Sequence, residues 1–351
     1  MSNIFSIIAA ILIFGIIILV HEFGHFIVAK KCNVKVNEFA IGMGPAIFKK
    51  QKGETLYAIR VLPIGGYCAM EGEDESSTDD RAFCKKKVSQ RLAITLAGAT
   101  MNLILGLVAM IIISCIADGL SSNTISKFEE GSVTEQTGLM IGDEIIAVNG
   151  VRTFVDSDIV YQFQIAKENS FEMTVIRDDE KVKLKDVKLP TYTTDEGKES
   201  IYVDFYVQPI KKNPLSVMEF SVKKTVSVAR MIWMTLLDMV TGNVRINDLS
   251  GPVGIVDTIG SVIESSKFDV SVLAQNLLML VVFISVNVGI FNLLPFPALD
   301  GARAVFLIIE AIRRKPIKRE YEGMIHFIGL ALLMILMLVV TFNDVSRIFK
   351  R

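Results

Sequence analysis

Two imidazoles and a carboxylate stand together at His21-Glu22-Phe23-Gly24-His25, directly after the apolar run Ile4 to Val20 and before Phe26-Ile27-Val28-Ala29. Ionisable groups are costly in hydrocarbon, so a cluster kept there is a functional site by default. On a helix, residues four apart share a face, which lets His21 and His25 grip one metal ion while Glu22 sits beside a water on that ion. A catalytic zinc takes three protein ligands and keeps one open position, so a third ligand must come from elsewhere. A histidine farther along the same helix is excluded, because Val28 and Lys31 stand where the extended motif has its glycine and third histidine. The remaining candidates are Glu38, Asp238, Asp300, Glu310 and His326. Asp300 is preferred, since it follows Asn292-Leu293-Leu294-Pro295-Phe296-Pro297-Ala298-Leu299, where two prolines break an apolar segment at the depth of His25. Irregular backbone at membrane depth is tolerated where protein or a water-filled cavity surrounds it. His326 opens the last apolar segment and reads as interfacial.

The elements that must carry these residues are membrane helices. The chain has 351 residues, of which 51% are hydrophobic, and its mean hydropathy is +0.46, which fits several spans joined to soluble parts. A formal net charge of -1 gives no indication of a nucleic-acid partner. Cys32, Cys68, Cys84 and Cys115 show no CxxC spacing and read as reduced or buried thiols. Ile4 to Ala29 is long enough to cross a bilayer, lacks a preceding Lys or Arg and a small-residue cleavage site, and reads as a retained helix. Further spans are expected at Leu92 to Ile116, Leu273 to Leu294 and Met324 to Phe342. Within the second, Asn102 is costly facing lipid and reads as an interior helix-packing hydrogen bond, with Gly98, Ala99 and Gly106 allowing close packing. The lysines and arginines from Lys30 to Lys52 and from Arg81 to Arg91, and again from Arg313 to Arg319, make these loops cytoplasmic by the positive-inside rule. Both termini are then extracytoplasmic, and the histidine pair lies near the cytoplasmic face.

Thr55 to Met70 reads as a β hairpin, interrupted by Pro63 and Gly65-Gly66, that either dips into the membrane or lies at the surface, and its exposed edge could hold an extended peptide. The acidic stretch Glu71 to Asp80 reads as a solvated, mobile linker. Residues 118–210 change character: Gly131-Ser132-Val133, Gly138 to Gly150 with its Asn-Gly turn, and strands at Phe171 to Arg177 and Val182 to Leu189 predict a small mixed α+β domain. Leu215 to Val240 is an amphipathic helix for the membrane surface, followed by the turn-rich connector Ser250 to Ile255. The expected divisions are therefore residues 1–117, 118–210, 211–272 and 273–351.

Two sets of residues carry a family resemblance. The run from Gly131 to Gly150, GSVTEQTGLMIGDEIIAVNG, resembles the core of a PDZ domain, a peptide-binding fold. HEFGH in the first span, Gly65-Gly66-Tyr67, the inserted domain, SGPVGI and SVNVGIFNLLPFPALDG together resemble the site-2 protease family of intramembrane zinc metalloproteases, in its bacterial regulator-of-sigma-E branch with one PDZ domain. The resemblance covers nearly the whole chain. It implies an α-helical polytopic membrane protein with four transmembrane helices, a β hairpin and one inserted PDZ domain. It also implies Zn2+ on His21, His25 and Asp300, and Glu22 as the catalytic acid/base. Asn292, Pro295, Pro297, Gly65, Gly66 and Tyr67 would meet the substrate, a transmembrane protein or peptide such as an anti-sigma factor or a remnant signal peptide. Membrane lipid and a peptide ligand of the PDZ domain are the other partners expected. Ala302-Arg303 stand where the family often has Gly-His, and Cys68-Ala69 replace a more usual Val-Lys; both bear on substrate preference. Two rival readings are a membrane-anchored PDZ adaptor with a structural metal site and a metal transporter, and an intact Glu22 argues against the first.

Overall fold

The computed structural model describes residues 2–73, 75–166, 168–193, 199–242, 250–266 and 268–350. In chain order the elements are α1 (Ser2–Lys31), β1 (Val36–Lys52), β2 (Thr55–Met70), α2 (Val88–Ile116), β3 (Leu120–Phe128), α3 (Val133–Gln136), β4 (Glu144–Val148), β5 (Val151–Arg152), α4 (Asp156–Ile165) and β6 (Phe171–Arg177). There follow β7 (Glu180–Val187), β8 (Thr191–Thr193), β9 (Glu199–Ile201), β10 (Phe205–Ile210), α5 (Pro214–Val240), α6 (Pro252–Ser265), α7 (Val270–Leu293), α8 (Asp300–Arg313) and α9 (Arg319–Lys350). The chain forms two compact units, residues 1–109 with 229–351, and residues 110–228.

Four helices among the described residues are long and apolar enough to cross a membrane: Ile4–Lys31, Val88–Ile116, Val270–Leu293 and Glu320–Arg347. Each is apolar on nearly all sides, the pattern of a helix whose outer face meets lipid. Asp269 caps α7 by accepting from the backbone N–H groups of Ser271 and Val272 at 2.8 and 3.1 Å. The helix stops at Leu293, because Pro295 and Pro297 cannot supply the next backbone donors. The connector after Ser250 is more ordered than its turn-forming composition suggests. Pro252 opens α6, and the buried carboxylate of Asp344 on α9 accepts from Gly251 N–H at 2.9 Å and Gly254 N–H at 2.7 Å, closing the helix N-terminus.

The β segment is larger than the expected hairpin. Residues 38–41 of β1 pair on one side with 66–69 and on the other with 56–59, while 46–52 pair with 55–60. Two bent strands thus make a sheet of four segments, with 66–70 and 46–52 at its edges. The bends need left-handed backbone, which Gly42 (φ 83°) and Gly65 (φ 80°) supply without a Cβ penalty. One end of this sheet packs Val36, Phe39, Cys68 and Met70 against Ala29 of α1 and Ile94 of α2. The other end exposes Met43, Ile47, Phe48, Ile59, Val61 and Leu62, an apolar tip next to Lys49, Lys50 and Lys52. The linker after β2 is held, contrary to the mobile segment expected. Glu71 accepts from Asn37 at 3.0 Å and Ser77 at 2.6 Å, and Lys35 lies 3.3 Å from Asp79. Asp74 of that segment lies outside the described residues.

The second unit is built on an antiparallel sheet in the order β10-β3-β4-β6-β7, with β5 paired to β4. Asn149 (φ 49°) and Gly150 (φ 77°) make the tight turn between β4 and β5 that their dipeptide predicts. Ile125, Ile145, Val148, Phe171, Met173 and Val175 from the strands bury against Ile159 and Phe163 of α4. The buried carboxylate of Asp143 is paired with Arg177 at 2.7 Å.

Candidate active site

The last turns of α1 carry His21, Glu22 and His25, and the first residue of α8 is Asp300. Their side chains converge. His21 Nε2 lies 3.1 Å from Asp300 Oδ2, His25 Nε2 lies 3.3 Å from the same oxygen, and the two ring nitrogens are 3.3 Å apart. Two ligand atoms each about 2.05 Å from a tetrahedral zinc stand roughly 3.3 Å from one another, so this triangle has the size of one face of a zinc coordination shell. Asp300 Oδ2 is buried and, beyond the two imidazole nitrogens, has no polar partner among the described residues. The donor set, two neutral imidazoles and a carboxylate, is one that zinc accepts.

Each corner of the triangle is held from behind. His25 Nδ1 donates to Ile94 O at 2.8 Å, since a carbonyl only accepts, and this leaves the Nε2 lone pair free. His21 Nδ1 is 3.1 Å from the side-chain amide of Asn102 on α2. The α2 backbone comes this close because it presents Gly98 to the rings; a Cβ there would lie 2.4 Å from His25 Nε2. Likewise, a Cβ on Gly24 of α1 would lie 2.5 Å from Ala97 O. Asp300 opens a helix, where the dipole favours a negative charge. The turn that delivers it includes Ala298 in left-handed backbone (φ 77°), and the Ala298 N–H donates to His326 Nδ1 at 3.0 Å. His326 thus serves the turn rather than the triangle. Of the other carboxylates considered from the sequence, Glu38 is paired with Arg60 at 2.6 Å, Glu310 is paired with Arg91, and Asp238 lies outside the group.

A cavity of about 320 Å³ adjoins the triangle, lined by His21, Glu22, His25 and Asp300, by Tyr67, Cys68, Ala69 and Met70 of β2, and by Glu73, Ile94, Thr95 and Arg303. The half-buried Glu22 faces this cavity together with Cys68 of β2. Gly66 lies against Glu22, where a Cβ would be 3.2 Å from Glu22 Cγ. The edge segment 66–70 therefore runs beside the carboxylate. Of the expected substrate-facing residues, Tyr67 lines this cavity and Gly66 abuts Glu22, whereas Gly65 sits at the bend against Met43. Asn292, Pro295 and Pro297 are not among its lining residues, and Asn292 Nδ2 donates to Val288 O one turn back at 3.0 Å. Pro297 lies against Gly329 of α9. Residues outside the sequence-based site also border the cavity: Cys68, Glu73, Ile94 and Arg303, the last paired with Glu73. Cys68 and Arg303 are two of the positions at which the sequence departs from the pattern it resembles.

Residues 9–336 match the family model described as peptidase family M50. A relative from Clostridium acetobutylicum is 36% identical, over 97% of both chains. The zinc metalloprotease RasP of Bacillus licheniformis is 33% identical over 98% of this chain and 99% of its own. The regulator of sigma-W protease RasP of Bacillus subtilis is similar to the same degree, 33% identical over 98% of this chain and 99% of its own.

Proposed function

This chain belongs to peptidase family M50 and is a zinc metalloprotease; on that premise we propose that it hydrolyses peptide bonds inside transmembrane segments of other membrane proteins, with His21, His25 and Asp300 as zinc ligands and Glu22 as the acid/base. The observation that carries this reading is the triangle of ligand atoms 3.1 to 3.3 Å apart, with Glu22 in the adjoining cavity beside an edge strand. When bound, zinc supplies Lewis acidity, which brings the pKa of a water toward neutrality and polarises a peptide carbonyl. Glu22 takes the proton of the attacking water on its carboxylate and returns it to the leaving nitrogen. Gly66 of the edge segment lies directly against that side chain. A helical substrate has its carbonyls shielded by its own hydrogen bonds, so it must unwind first, and segment 66–70 offers an edge on which an extended chain can pair.

The second unit is, on this reading, a PDZ domain over residues 118–210 that restricts access to substrates already trimmed outside. Its support is the GSVTEQTGLMIGDEIIAVNG core, the antiparallel sheet and the packed helix α4. The lysine-rich loops support an orientation with both termini extracytoplasmic and the site near the cytoplasmic face. Asn292, Pro295 and Pro297 contribute to substrate binding by shaping the break before α8. Anti-sigma factors and remnant signal peptides are the substrate class; a Bacillus subtilis relative is named for regulating sigma-W.

A bilayer-reconstituted preparation with a model transmembrane peptide tests the strand-pairing step. Proline at Cys68, whose N–H alternates with that of Ala69 and points away from β1 as that of Met70 does, removes a donor from the open edge. The expected result is cleavage slowed at least about tenfold with zinc retained, for the loss of aligned binding. Cleavage at the wild-type rate would remove strand pairing from the mechanism. Stripping zinc with a chelator abolishes cleavage, and added Zn2+ restores it.

A further inference from the structure

We propose that Asn102 is a positioning residue for the metal centre: its side-chain carbonyl accepts the Nδ1 proton of His21 and so keeps the Nε2 lone pair of that ring turned to zinc. The inference rests on His21 being a zinc ligand, as proposed above.

A neutral imidazole has one donor nitrogen and one acceptor nitrogen, and only the acceptor can bind a metal. For His25 the assignment is forced, because the partner of Nδ1 is the Ile94 carbonyl, which can only accept. For His21 it is not forced by backbone. The partner is the Asn102 amide, whose two ends differ in role. Asn102 is fully buried, its Nδ2 stands 3.1 Å from His21 Nδ1, and its Oδ1 is buried without a partner. With the NH2 toward the ring, Nδ1 is the acceptor and the proton sits on Nε2. That nitrogen lies 3.1 Å from Asp300 Oδ2, so the proton would fill the position a metal needs. A half-turn of the amide puts Oδ1 opposite Nδ1. The orphaned oxygen then gains a donor, and both histidines present bare Nε2 atoms to the same point. The amide stays at this height because Ser285 Oγ of α7 donates to the Asn102 backbone carbonyl at 2.8 Å, and Ser285 is itself fully buried. A partner of this kind fixes the ring orientation and raises ligand basicity, and its loss weakens metal binding about 10- to 100-fold. A packing role alone makes no such demand, and a leucine of similar size would meet it.

The test is the zinc dissociation constant of the full chain in detergent micelles, measured by chelator competition, for wild type, Asn102→Leu, Asn102→Asp and His21→Ala. Leucine keeps the volume and removes the acceptor; aspartate keeps the acceptor. The expected result is zinc binding about 10- to 100-fold weaker in Asn102→Leu and within about threefold of wild type in Asn102→Asp. Nitrogen chemical shifts of labelled histidine give a second readout, with the Nδ1–H form of His21 kept by aspartate and lost with leucine. Wild-type affinity in Asn102→Leu overturns the proposal, and so does an Asn102→Asp protein as weak as Asn102→Leu. His21→Ala separates the two levels of the argument. If it binds zinc as wild type does, the ligand set is wrong; if it loses zinc while Asn102→Leu keeps it, only the role of Asn102 falls.

Discussion

A methyl group on Gly98 would lie 2.4 Å from His25 Nε2 and 2.7 Å from His21 Nε2, inside contact distance of both nitrogens of the triangle. The nearest atoms are ring atoms held from behind by Ile94 and Asn102, so they cannot swing away as a flexible chain end would. Gly98→Ala is therefore expected to insert in the membrane, bind zinc at least about tenfold more weakly and lose activity in proportion. Zinc content and turnover check this, and full zinc occupancy in Gly98→Ala would mean that the two helices part without harm to the site. That His21 and His25 share one helix face is legible in the sequence because a spacing of four is a local property of a helix. Gly98, Ile94 and Asn102 are not legible in that role, since the contacts that give it to them cross from one helix to another. The polar Asn102 inside an apolar run was the one signal of its importance, and its partner was hidden 81 residues away.

Hydropathy marks the four long helices well, because length and apolarity decide a membrane span. It misses β1, whose lysines and Gly-Met-Gly-Pro run read as loop although the glycines are the bend of a strand. It misses α8 as well, a short amphipathic helix whose first residue is the aspartate that the site needs. The segment between β2 and α2 reads as solvated because its charges are dense, yet those charges are its ties. Lys30 and then Arg81 hold the Glu54 carboxyl below its usual range, Ser77 and Asn37 do the same for Glu71, and the Arg81 backbone N–H with Lys35 does so for Asp79. A carboxyl with a depressed folded-state pKa contributes stability that is present above its unfolded range, about pH 4, and is lost as pH falls through the lower folded value. Proteolytic nicking between Glu71 and Ala82 is therefore expected to rise below about pH 4, and at neutral pH to rise with added salt. Protection unchanged down to about pH 3 would show that the ties contribute nothing there.

The chain divides into residues 1–109 with 229–351, which carry the candidate site, and residues 110–228 between them in sequence, while the composition changes near residue 118 and again beyond residue 210. Such a shift is legible because membrane and soluble parts need different residues over tens of positions. For a zinc peptidase proposed to work inside the bilayer, the decisive observable is the position of the cut bond. The full chain and its Glu22→Gln variant are reconstituted in lipid with a single-span substrate, and the products are mapped by mass spectrometry. The predicted result is a cut within the apolar span from the wild-type protein, and a rate lower by about 10²- to 10⁴-fold from Glu22→Gln with zinc still bound. Cuts confined to the polar flanks of the substrate, or cleavage undiminished in Glu22→Gln, would contradict it.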